Sequence, residues 1–529
     1  MKRWHERSWF LIFLLFIGLV GTLARSQPPA APQREPFAVV GHVLRVQAWL
    51  AQAYLHPAEP RLPAGFAAAD LPLGGLILEE AEAWLEEKCL APLRKPVTLR
   101  LNDETILLDA SEAVLHIDTA PIRQRMEALL LDWPPPHEGI YLGSALEPTL
   151  RVSENVPLLL EVDEAVLGAE LEALAEPYRV APIPLTTTTI MSASLAAAGV
   201  DPYWLDQQPV VAFVAPIPGR RLDVDAAQSA VVAQLGQRQR ASVPLDFLEV
   251  PPLESDLALL EAALEDQLAR ISATVGIYVY DLQADREVAV HAGTIFSGAS
   301  VMKIAILLQA YRALDEPLTV QVKRDLEEMM INSDNAAANR LMAVGGEGDA
   351  PQGLQRMTEM LRRLGLPDSY LCNTYAGGPR WEGCPPEPRP VEAGELETDA
   401  DEVLQTTPRD MGRLLVYLYE CSAGWGPLLE EFADTITVAE CQEMIGLMQR
   451  NADVNRLVSG VPDLPVAHKS GWIDDMKADA GIVFSPGGDY VVSIFVWQEE
   501  FLSERQSNHW IARLSWMVYS FFNPLGGGW

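Results

Sequence analysis

The chain has 529 residues, of which 49% are hydrophobic, and its formal net charge is −34 at pH 7. This composition is typical of folded protein, and the length allows about two to four domains and a large core. The excess of acidic residues argues against binding to nucleic acid or to anionic lipid, because both need clustered lysine and arginine. We therefore expect a folded protein with a solvated acidic surface.

The N-terminus has the pattern of a membrane segment. Basic residues among the first seven precede an uncharged apolar run at residues 8–24, which is near the minimum length for crossing a bilayer. We favour a signal-anchor over residues 1–25, with its positive end in the cytoplasm, and keep a cleaved signal peptide as the alternative. The first alternative predicts a single-pass protein of the cytoplasmic membrane with its bulk outside, and the second a secreted protein. A proline-rich spacer and a helix are expected at residues 26–60.

The cysteines and histidines limit the possible chemistry. Five cysteines form an odd set, so at least one is unpaired or pairs between chains. Cys372 and Cys384 flank a short loop, and Cys421 and Cys441 flank another; disulfides and buried free thiols both remain open for these pairs. No Cys/His spacing in the sequence matches a metal site, so we expect neither a metal nor another cofactor.

The N-terminal half repeats a pattern of helix and strand. Residues 61–150 and 151–250 are predicted to form two small α+β repeats. The motifs "LGGLILEEAEAWLEE" and "KPVTLRL", with a hairpin turn at "NDE", stand in the first, and "PGRRLDVDAAQSAV" stands in the second. They resemble the peptidoglycan-binding-like repeats of VanW-type envelope proteins. The resemblance implies peptidoglycan as a partner, and the alternative is a plain spacer domain.

The C-terminal half reads as one domain. Residues 256–529 follow a boundary at "VPPLESD" and open with a helix and the strand "TVGIYVYDL". Three strand-like segments stand near the end, "VAHKSGW", "ADAGIVFS" and "YVVSIFVW", before a last helix. Strands at both ends with helices between them predict one antiparallel sheet, in which the first strand joins the last ones, flanked by helices. The fold class is therefore α+β.

One predicted helix of this domain carries an unexpected lysine. The stretch "GASVMKIAILLQAYRAL", residues 298–314, is apolar on nearly every side for its first two turns, so it should be buried, yet it contains Lys303. A buried ammonium is costly unless it is paired, and its pKa tends to fall. Ser300 lies three residues earlier, and positions i and i+3 share a helix face. The pattern places a hydroxyl at a helix start beside an amine.

Two tripeptides accompany this Ser-x-x-Lys pair, which alone is weak evidence. "MMINSDNAAANRLM" contains Ser-Asp-Asn at residues 333–335, and "VAHKSGW" contains Lys-Ser-Gly at residues 469–471. Each tripeptide arises by chance in under roughly one chain in ten of this length, and all three motifs in this order are far rarer. The set resembles the active-site serine family of class A β-lactamases and penicillin-binding D,D-peptidases, over residues 256–529.

The resemblance implies a role for each residue of the set. Ser300 would be the nucleophile, assisted by a neutral Lys303, and Ser333 would pass a proton to the departing nitrogen. Substrate would be bound by Asn335 at its amide, by Lys469 and Ser470 at its carboxylate, and by the backbone N–H groups of Ser300 and Trp472 at its oxyanion, with Gly471 permitting close approach. We interpret Asp334 as structural and His468 as a packed strand residue rather than a base.

The sequence also departs from the family pattern. Ser300 and Ser333 are only 33 positions apart, so the helical lobe between them looks trimmed. A proline- and glutamate-rich loop at residues 376–399 replaces the usual Glu-x-x-Leu-Asn element that supplies the deacylating base. The loop offers Glu382, Glu395 and Glu397, none of them in a matching motif. We therefore expect slow release of an acyl group from the nucleophile.

Two functions are compatible with these motifs. The first is an envelope-anchored active-site serine hydrolase that forms an acyl-enzyme with β-lactams or D-alanyl peptides. The alternative is a non-catalytic module that binds cell-wall peptide or peptidoglycan. Lys303 favours the enzyme, because mere binding does not need a buried amine beside the serine.

Overall fold

The computed structural model of the protein describes residues 60–109, 111–131, 151–201, 203, 205, 208–253, 256–314, 318–385 and 396–526. They form two compact units: one holds the described residues up to Leu174 together with Asp223–Asp246, and the other holds Ala175–Leu222 and the described residues from Phe247 onward. The predicted anchor at residues 8–24 and nearly all of the predicted spacer lie outside the described ranges. Within those ranges, no helix has both the length and the apolar character needed to cross a membrane.

The first unit is built of small sheets and short helices. Its strands form three sheets, in the orders β2-β1-β6, β11-β3-β4 and β5-β7. They are β1 (Ala64–Ala68), β2 (Leu71–Pro72), β3 (Val97–Leu101), β4 (Glu104–Leu108), β5 (Leu115–Asp118), β6 (Arg151–Val156), β7 (Leu159–Val162) and β11 (Val243–Pro244). The helices are α1 (Leu78–Leu85), which continues through a π-helical turn into α2 (Ala91–Leu93), then α3 (Ala120–Leu131), α4 (Glu164–Ala175, ending at the unit boundary) and α5 (Val224–Leu235).

The hairpin expected at "NDE" is present between two of these strands. β3 pairs antiparallel with β4, with Leu101 opposite Glu104. Alternation along β3 explains its position: Val97, Leu99 and Leu101 are buried, whereas Arg100 between them is exposed. The likeness of residues 61–250 to VanW-type repeats, and the repeat boundaries, stay predictions.

The second unit contains the predicted C-terminal domain together with two small antiparallel sheets of two strands each. These sheets pair β8 (Thr186–Met191) with β9 (Pro209–Val214) and β10 (Gly219–Leu222) with β12 (Phe247–Val250). Its helices are α6 (Leu257–Leu268), α7 (Lys303–Arg312), α8 (Val320–Ile331), α9 (Asn335–Gly345), α10 (Ala350–Arg363), α11 (Pro408–Ser422), α12 (Pro427–Phe432), α13 (Val438–Met448) and α14 (Glu504–Phe522).

A five-stranded antiparallel sheet forms the centre of this unit, in the order β14-β13-β20-β19-β18. Its strands are β13 (Thr274–Asp281), β14 (Arg286–Val290), β18 (Val466–Trp472), β19 (Met476–Val483) and β20 (Tyr490–Trp497). A smaller sheet has the order β15-β17-β16, from β15 (Phe296–Ser297), β16 (Tyr370–Leu371) and β17 (Leu404–Thr406). Because β13 pairs with β20, the first strand joins the last ones, and the predicted α+β fold with a helix-flanked antiparallel sheet is confirmed.

The two faces of the large sheet are buried by different helices. Val275, Ile277 and Val279 of β13 pack with α6 and α14 in one hydrophobic cluster. Val491 and Phe495 of β20 point to the other face and pack with α7 to α13. This alternation follows from the two-residue period of a strand. The sheet places β18 at one edge, where it faces the start of α7.

Both cysteine pairs that the sequence left open form disulfides. Cys372 is bonded to Cys384, and Cys421 is bonded to Cys441. The fifth cysteine, Cys89, is a buried free thiol in the first unit. The first bridge closes the segment that follows β16, and this segment contributes to the site described below.

Candidate active site

The nucleophile candidate lies at the start of a buried helix. A 3-10 turn, Ala299–Met302, follows β15 and leads directly into α7, so Ser300 is half-buried one turn before Lys303. Lys303 is the first residue of α7 and is completely buried. The apolar residues around it, including Val301, Met302 and Ile304, belong to the main hydrophobic cluster. The expected buried helix with an internal lysine is therefore present.

Four oxygen atoms lie within hydrogen-bonding distance of Lys303 Nζ, which has at most three N–H groups to share among them, and together they hold the side chain in place. Its Nζ donates to Ser300 Oγ over 2.9 Å, to Ser333 Oγ over 3.1 Å and to the Ser333 carbonyl over 2.7 Å. It also donates to Asn335 Oδ1 over 2.7 Å. The structure thus brings together the Ser-x-x-Lys pair and two members of the Ser-Asp-Asn tripeptide around one amine.

The turn between α8 and α9 gives this tripeptide its geometry. Ser333 has a left-handed backbone with φ of +58°, which a serine adopts only when its surroundings compensate for the cost. Asp334 is the N-cap of α9 and accepts a hydrogen bond from the Ala337 amide over 2.6 Å. The structural interpretation of Asp334 is confirmed, and the cap directs Ser333 and Asn335 at Lys303.

The environment of Lys303 favours its neutral form. Burial and, to a smaller extent, the nearby Lys469 cation lower its pKa to about 7, while Asp334 acts in the opposite direction. With this pKa a substantial fraction of the amine is neutral at pH 7, and a neutral amine can accept a proton from an adjacent hydroxyl. Lys303 therefore meets the electrostatic requirement for a general base at Ser300.

Strand β18 forms the other wall of the site. Lys469 is completely buried, its Nζ donates to the Ser470 carbonyl over 2.8 Å, and burial lowers its pKa to about 8. Gly471 lies so close to the nucleophile turn that a Cβ there would stand 3.0 Å from Ser300 N. Trp472 ends the strand with its side chain 63% exposed. The close approach places the end of β18 beside the amide of the nucleophile.

Buried polar residues behind β18 stabilise it. His468 Nδ1 lies 2.9 Å from Asp479 Oδ1, and the other Asp479 oxygen accepts from the Leu457 amide. The side chains of His468 and Asp479 are both almost completely buried. His468 is therefore a packed strand residue, as interpreted from the sequence. Its partner Asp479 lies opposite Ser470 in the β18–β19 register, which sequence motifs could not indicate.

A second carboxylate supports the Lys-Ser-Gly strand from the loop before it. Burial alone would raise the pKa of Asp453, but the Arg456 charge and a hydrogen bond from the Ser470 side chain hold it below its usual value. Arg456 contacts Asp453 directly and is itself buried. Neither residue was predicted, because nothing in the local sequence shows that this loop reaches Ser470.

Tyr375 is a further site residue that sequence reasoning missed. Its ring lies over Lys303, with the Nζ 4.8 Å from the ring centroid. Its hydroxyl donates to the carbonyl of Ala299, the residue before the nucleophile, over 2.8 Å. Burial raises the pKa of this hydroxyl well above its ordinary value, so it remains a donor.

Comparison with known proteins agrees with this geometry. Residues 259–319 and 313–522 match the model of the β-lactamase enzyme family. The C-terminal half of the chain is a β-lactamase-family domain. No curated protein matches the chain.

Solved structures similar to this β-lactamase-family domain share low sequence identity with it. PBP-A is 20% identical, with 51% of this chain and 97% of PBP-A covered and a TM-score of 0.39. A PBP-A mutant in an acyl-enzyme complex with penicillin G is 20% identical, with 52% and 100% covered and a TM-score of 0.40. A β-lactamase from Sphaerobacter thermophilus DSM 20745 is 19% identical, with 51% and 100% covered and a TM-score of 0.38.

The acidic loop of the β-lactamase-family domain does not present an aimed carboxylate among its described residues. Glu382 and Glu397 are both exposed to solvent, and Glu395 lies outside the described ranges. The acidic group that influences the Lys303 pKa is Asp334, which is engaged as a helix cap. The segment next to Lys303 instead contributes the ring of Tyr375.

The close approach of Gly471 leads to a testable prediction. In a Gly471→Ala variant the new Cβ would stand 2.9 Å from the Val301 amide nitrogen and 3.0 Å from that of Ser300, so the strand and the nucleophile turn must separate. A displacement near 1 Å in an active site costs on the order of 100-fold in rate, and we expect a loss of that size in the acylation rate with penicillin. Stopped-flow or gel-based labelling measures it.

Gly446→Ala is the matched control, because a Cβ at this helical glycine meets nothing within 4 Å. That variant should acylate at the wild-type rate and be slightly more stable. An unchanged acylation rate in Gly471→Ala would show that the close approach is not needed.

Proposed function

We propose that the β-lactamase-family domain is an active-site serine hydrolase that forms an acyl-enzyme on Ser300 with β-lactams or D-alanyl peptides. The observation that carries the proposal is the buried Lys303, whose Nζ lies 2.9 Å from Ser300 Oγ and whose pKa is lowered to about 7. A binding module would gain nothing from burying an amine beside a hydroxyl, since desolvation makes this arrangement costly.

The chemistry follows from the contacts around this amine. Neutral Lys303 takes the proton of Ser300 as Oγ attacks the substrate carbonyl, and the C–O bond forms while the carbonyl oxygen becomes an oxyanion. The N–H groups of Ser300 and Trp472 are proposed to bind that oxyanion. Lys303 then returns its proton through Ser333, whose Oγ lies 3.1 Å away, to the nitrogen that leaves as the amide C–N bond breaks.

The substrate would be held at both of its ends. Asn335, at the start of α9, would bond the amide of the substrate side chain. Lys469 and Ser470 would bind its carboxylate, since Lys469 is a buried cation and Ser470 is oriented by Asp453. Both β-lactams and D-alanyl peptides present a carboxylate beside the amide that is cleaved, which matches this arrangement.

Intact-protein mass spectrometry after exposure to penicillin G tests the proposal. We expect one covalent adduct, absent in Ser300→Ala and retained in Ser229→Ala, which alters an exposed serine on α5 of the first unit that donates only to a helix carbonyl. Folded protein that binds penicillin without any adduct would overturn the enzyme and favour the binding module.

The two buried lysines predict a bell-shaped pH dependence. The second-order acylation rate should rise through about pH 7 as Lys303 becomes neutral, and it should fall above about pH 8 as Lys469 loses the charge that binds carboxylate. Penicillin labelling measured from pH 5 to about pH 10 gives both limbs. A penicillin methyl ester, which lacks the carboxylate, should lose the alkaline limb and keep the acid limb. With penicillin that has its free carboxylate, a rate that keeps rising above pH 9 would contradict this assignment, because pH 9 is above the pKa values of both lysines.

We also propose an anchored, extracytoplasmic location, with residues 61–250 binding peptidoglycan. The support is in the sequence: the apolar run at residues 8–24 after basic residues, and the VanW-like motifs of residues 61–250. Membrane fractionation should recover the protein with its Met1-proximal peptide, whereas a mature chain beginning near Arg25 would favour secretion. Co-sedimentation of the full chain with isolated peptidoglycan tests the partner.

A further inference from the structure

The segment that carries Tyr375 is fixed at several points. The disulfide between Cys372 and Cys384 closes it, and Gly377 donates to the Thr374 carbonyl over 2.8 Å within it. The Tyr375 amide donates to Asn339 Oδ1 over 2.9 Å. Asn339 lies one turn after Asn335 on α9, so the helix that directs Asn335 at Lys303 also holds the backbone of Tyr375.

The Tyr375 hydroxyl acts on the backbone of the nucleophile turn. It donates to the Ala299 carbonyl over 2.8 Å, and Ala299 has a φ of +40°, which is unfavourable for any residue with a Cβ. Ala299 immediately precedes Ser300. A hydrogen bond to the strained peptide therefore restrains the direction from which the Ser300 side chain leaves the turn.

The Tyr375 ring affects the protonation of Lys303, the proposed general base. Lys303 Nζ has oxygen acceptors on Ser300, Ser333 and Asn335, and the ring lies over it at 4.8 Å. A ring in this place has two opposed effects: it attracts the charged amine through its π-face, and it excludes the water that would solvate the charge. Desolvation is the main cause of the lowered pKa of Lys303, so we infer that removal of the ring, by admitting water, raises this pKa.

We propose that Tyr375 is a positioning residue for acylation: its hydroxyl fixes the peptide before Ser300, and its ring keeps water away from Lys303. The proposal rests on the proposed function, because it concerns the rate at which Ser300 is acylated. It assigns the segment closed by the Cys372–Cys384 disulfide a task in the first chemical step, although the overlapping loop at residues 376–399 stands where class A enzymes carry the element that serves the second step.

Two substitutions distinguish the role of the Tyr375 hydroxyl from that of its ring. Tyr375→Phe keeps the ring and removes the hydroxyl, and it should slow acylation by about fivefold while leaving the acid limb of the pH profile in place. Tyr375→Ala removes both, and it should slow acylation further and move the acid limb to higher pH by on the order of one unit, because water then reaches the ammonium. The acylation rate with penicillin G is measured for both from pH 5 to about pH 9, together with the thermal midpoint of unfolding.

Tyr370→Phe is the matched control. Tyr370 lies on β16 and also donates to a backbone carbonyl, that of Glu402, but it does not contact Lys303. It should acylate as the wild type does. An acid limb that stays in place in Tyr375→Ala, or equal losses in Tyr370→Phe and Tyr375→Phe, would overturn the proposal.

A second readout does not depend on the reaction. An NMR titration of the Lys303 side chain should show a higher pKa in Tyr375→Ala than in the wild type and an unchanged one in Tyr375→Phe. If the wild type takes no penicillin label, the proposed function fails, whereas the titration still decides whether the ring shields the amine. A labelled wild type with identical titrations in all three proteins overturns the role of Tyr375 alone.

Discussion

A Lys303→Ala variant should lose acylation of Ser300 by on the order of 1,000-fold while its fold is retained, since removal of a general base typically costs between 100-fold and 10,000-fold. The serine hydroxyl would then have no adjacent amine to accept its proton. The fold should tolerate the change because alanine is a strong helix former and the substitution removes a completely buried amine from an apolar helix. Penicillin labelling and a thermal unfolding curve measure the two effects.

The control for this variant is Lys323→Ala, which removes an exposed lysine from α8. It should acylate at the wild-type rate. A Lys303→Ala protein that is folded and acylates within a few-fold of the wild type would rule out the assigned base, and it would direct attention to Ser333 as the group that takes the proton.

Local patterns predicted the elements that carry the motifs. The alternation of Val275, Ile277 and Val279 identified β13, and the run of apolar residues around Lys303 identified a buried helix. Both signals are contained in a few consecutive residues, and burial of an apolar face is the physical cause of each. The sheet order followed because strands at the two ends of a domain have few ways to pair around intervening helices.

Residues whose partners lie on other segments of the chain gave no local sequence signal. Tyr375 reaches Ala299 across 76 positions, and Asp479 bonds His468 from the neighbouring strand. Their roles depend on the path of a disulfide-closed segment and on strand register, which are set by tertiary packing. A tyrosine or aspartate in such a segment reads as an ordinary surface residue until the register is known.

The strained backbone near the nucleophile was also invisible in the sequence. Ala299 and Ser333 both adopt positive φ, a region where glycine and asparagine are expected. Ala299 is next to Ser300, which Lys303 contacts, and Ser333 is itself a contact of Lys303. Such strain persists only where the surroundings fix the conformation, and here the surroundings are the hydrogen bonds of Tyr375 and Lys303.

The release of the acyl group should be the slow step of any β-lactam turnover. Hydrolysis of an acyl-enzyme needs a base that activates water beside Ser300, and in class A enzymes a loop glutamate supplies it. Here Glu382 and Glu397 are exposed, and the ring that lies over Lys303 belongs to Tyr375, which precedes the loop. A positioned base contributes about 100-fold to 10,000-fold, so we expect deacylation to be slower than in an efficient β-lactamase by a factor in that range.

Steady-state hydrolysis of a chromogenic cephalosporin, compared with the burst of the first turnover, measures this difference. We expect a burst equal to the enzyme concentration, followed by a turnover so slow that the adduct on Ser300 persists in the mass spectrum, as for a penicillin-binding peptidase. Glu382→Gln and Glu397→Gln should each leave the slow phase unchanged, because both carboxylates are exposed to solvent rather than held near the ester. We expect the same result for Glu395→Gln. Rapid turnover without a burst would refute the prediction, and its loss in one of these variants alone would identify that glutamate as the base.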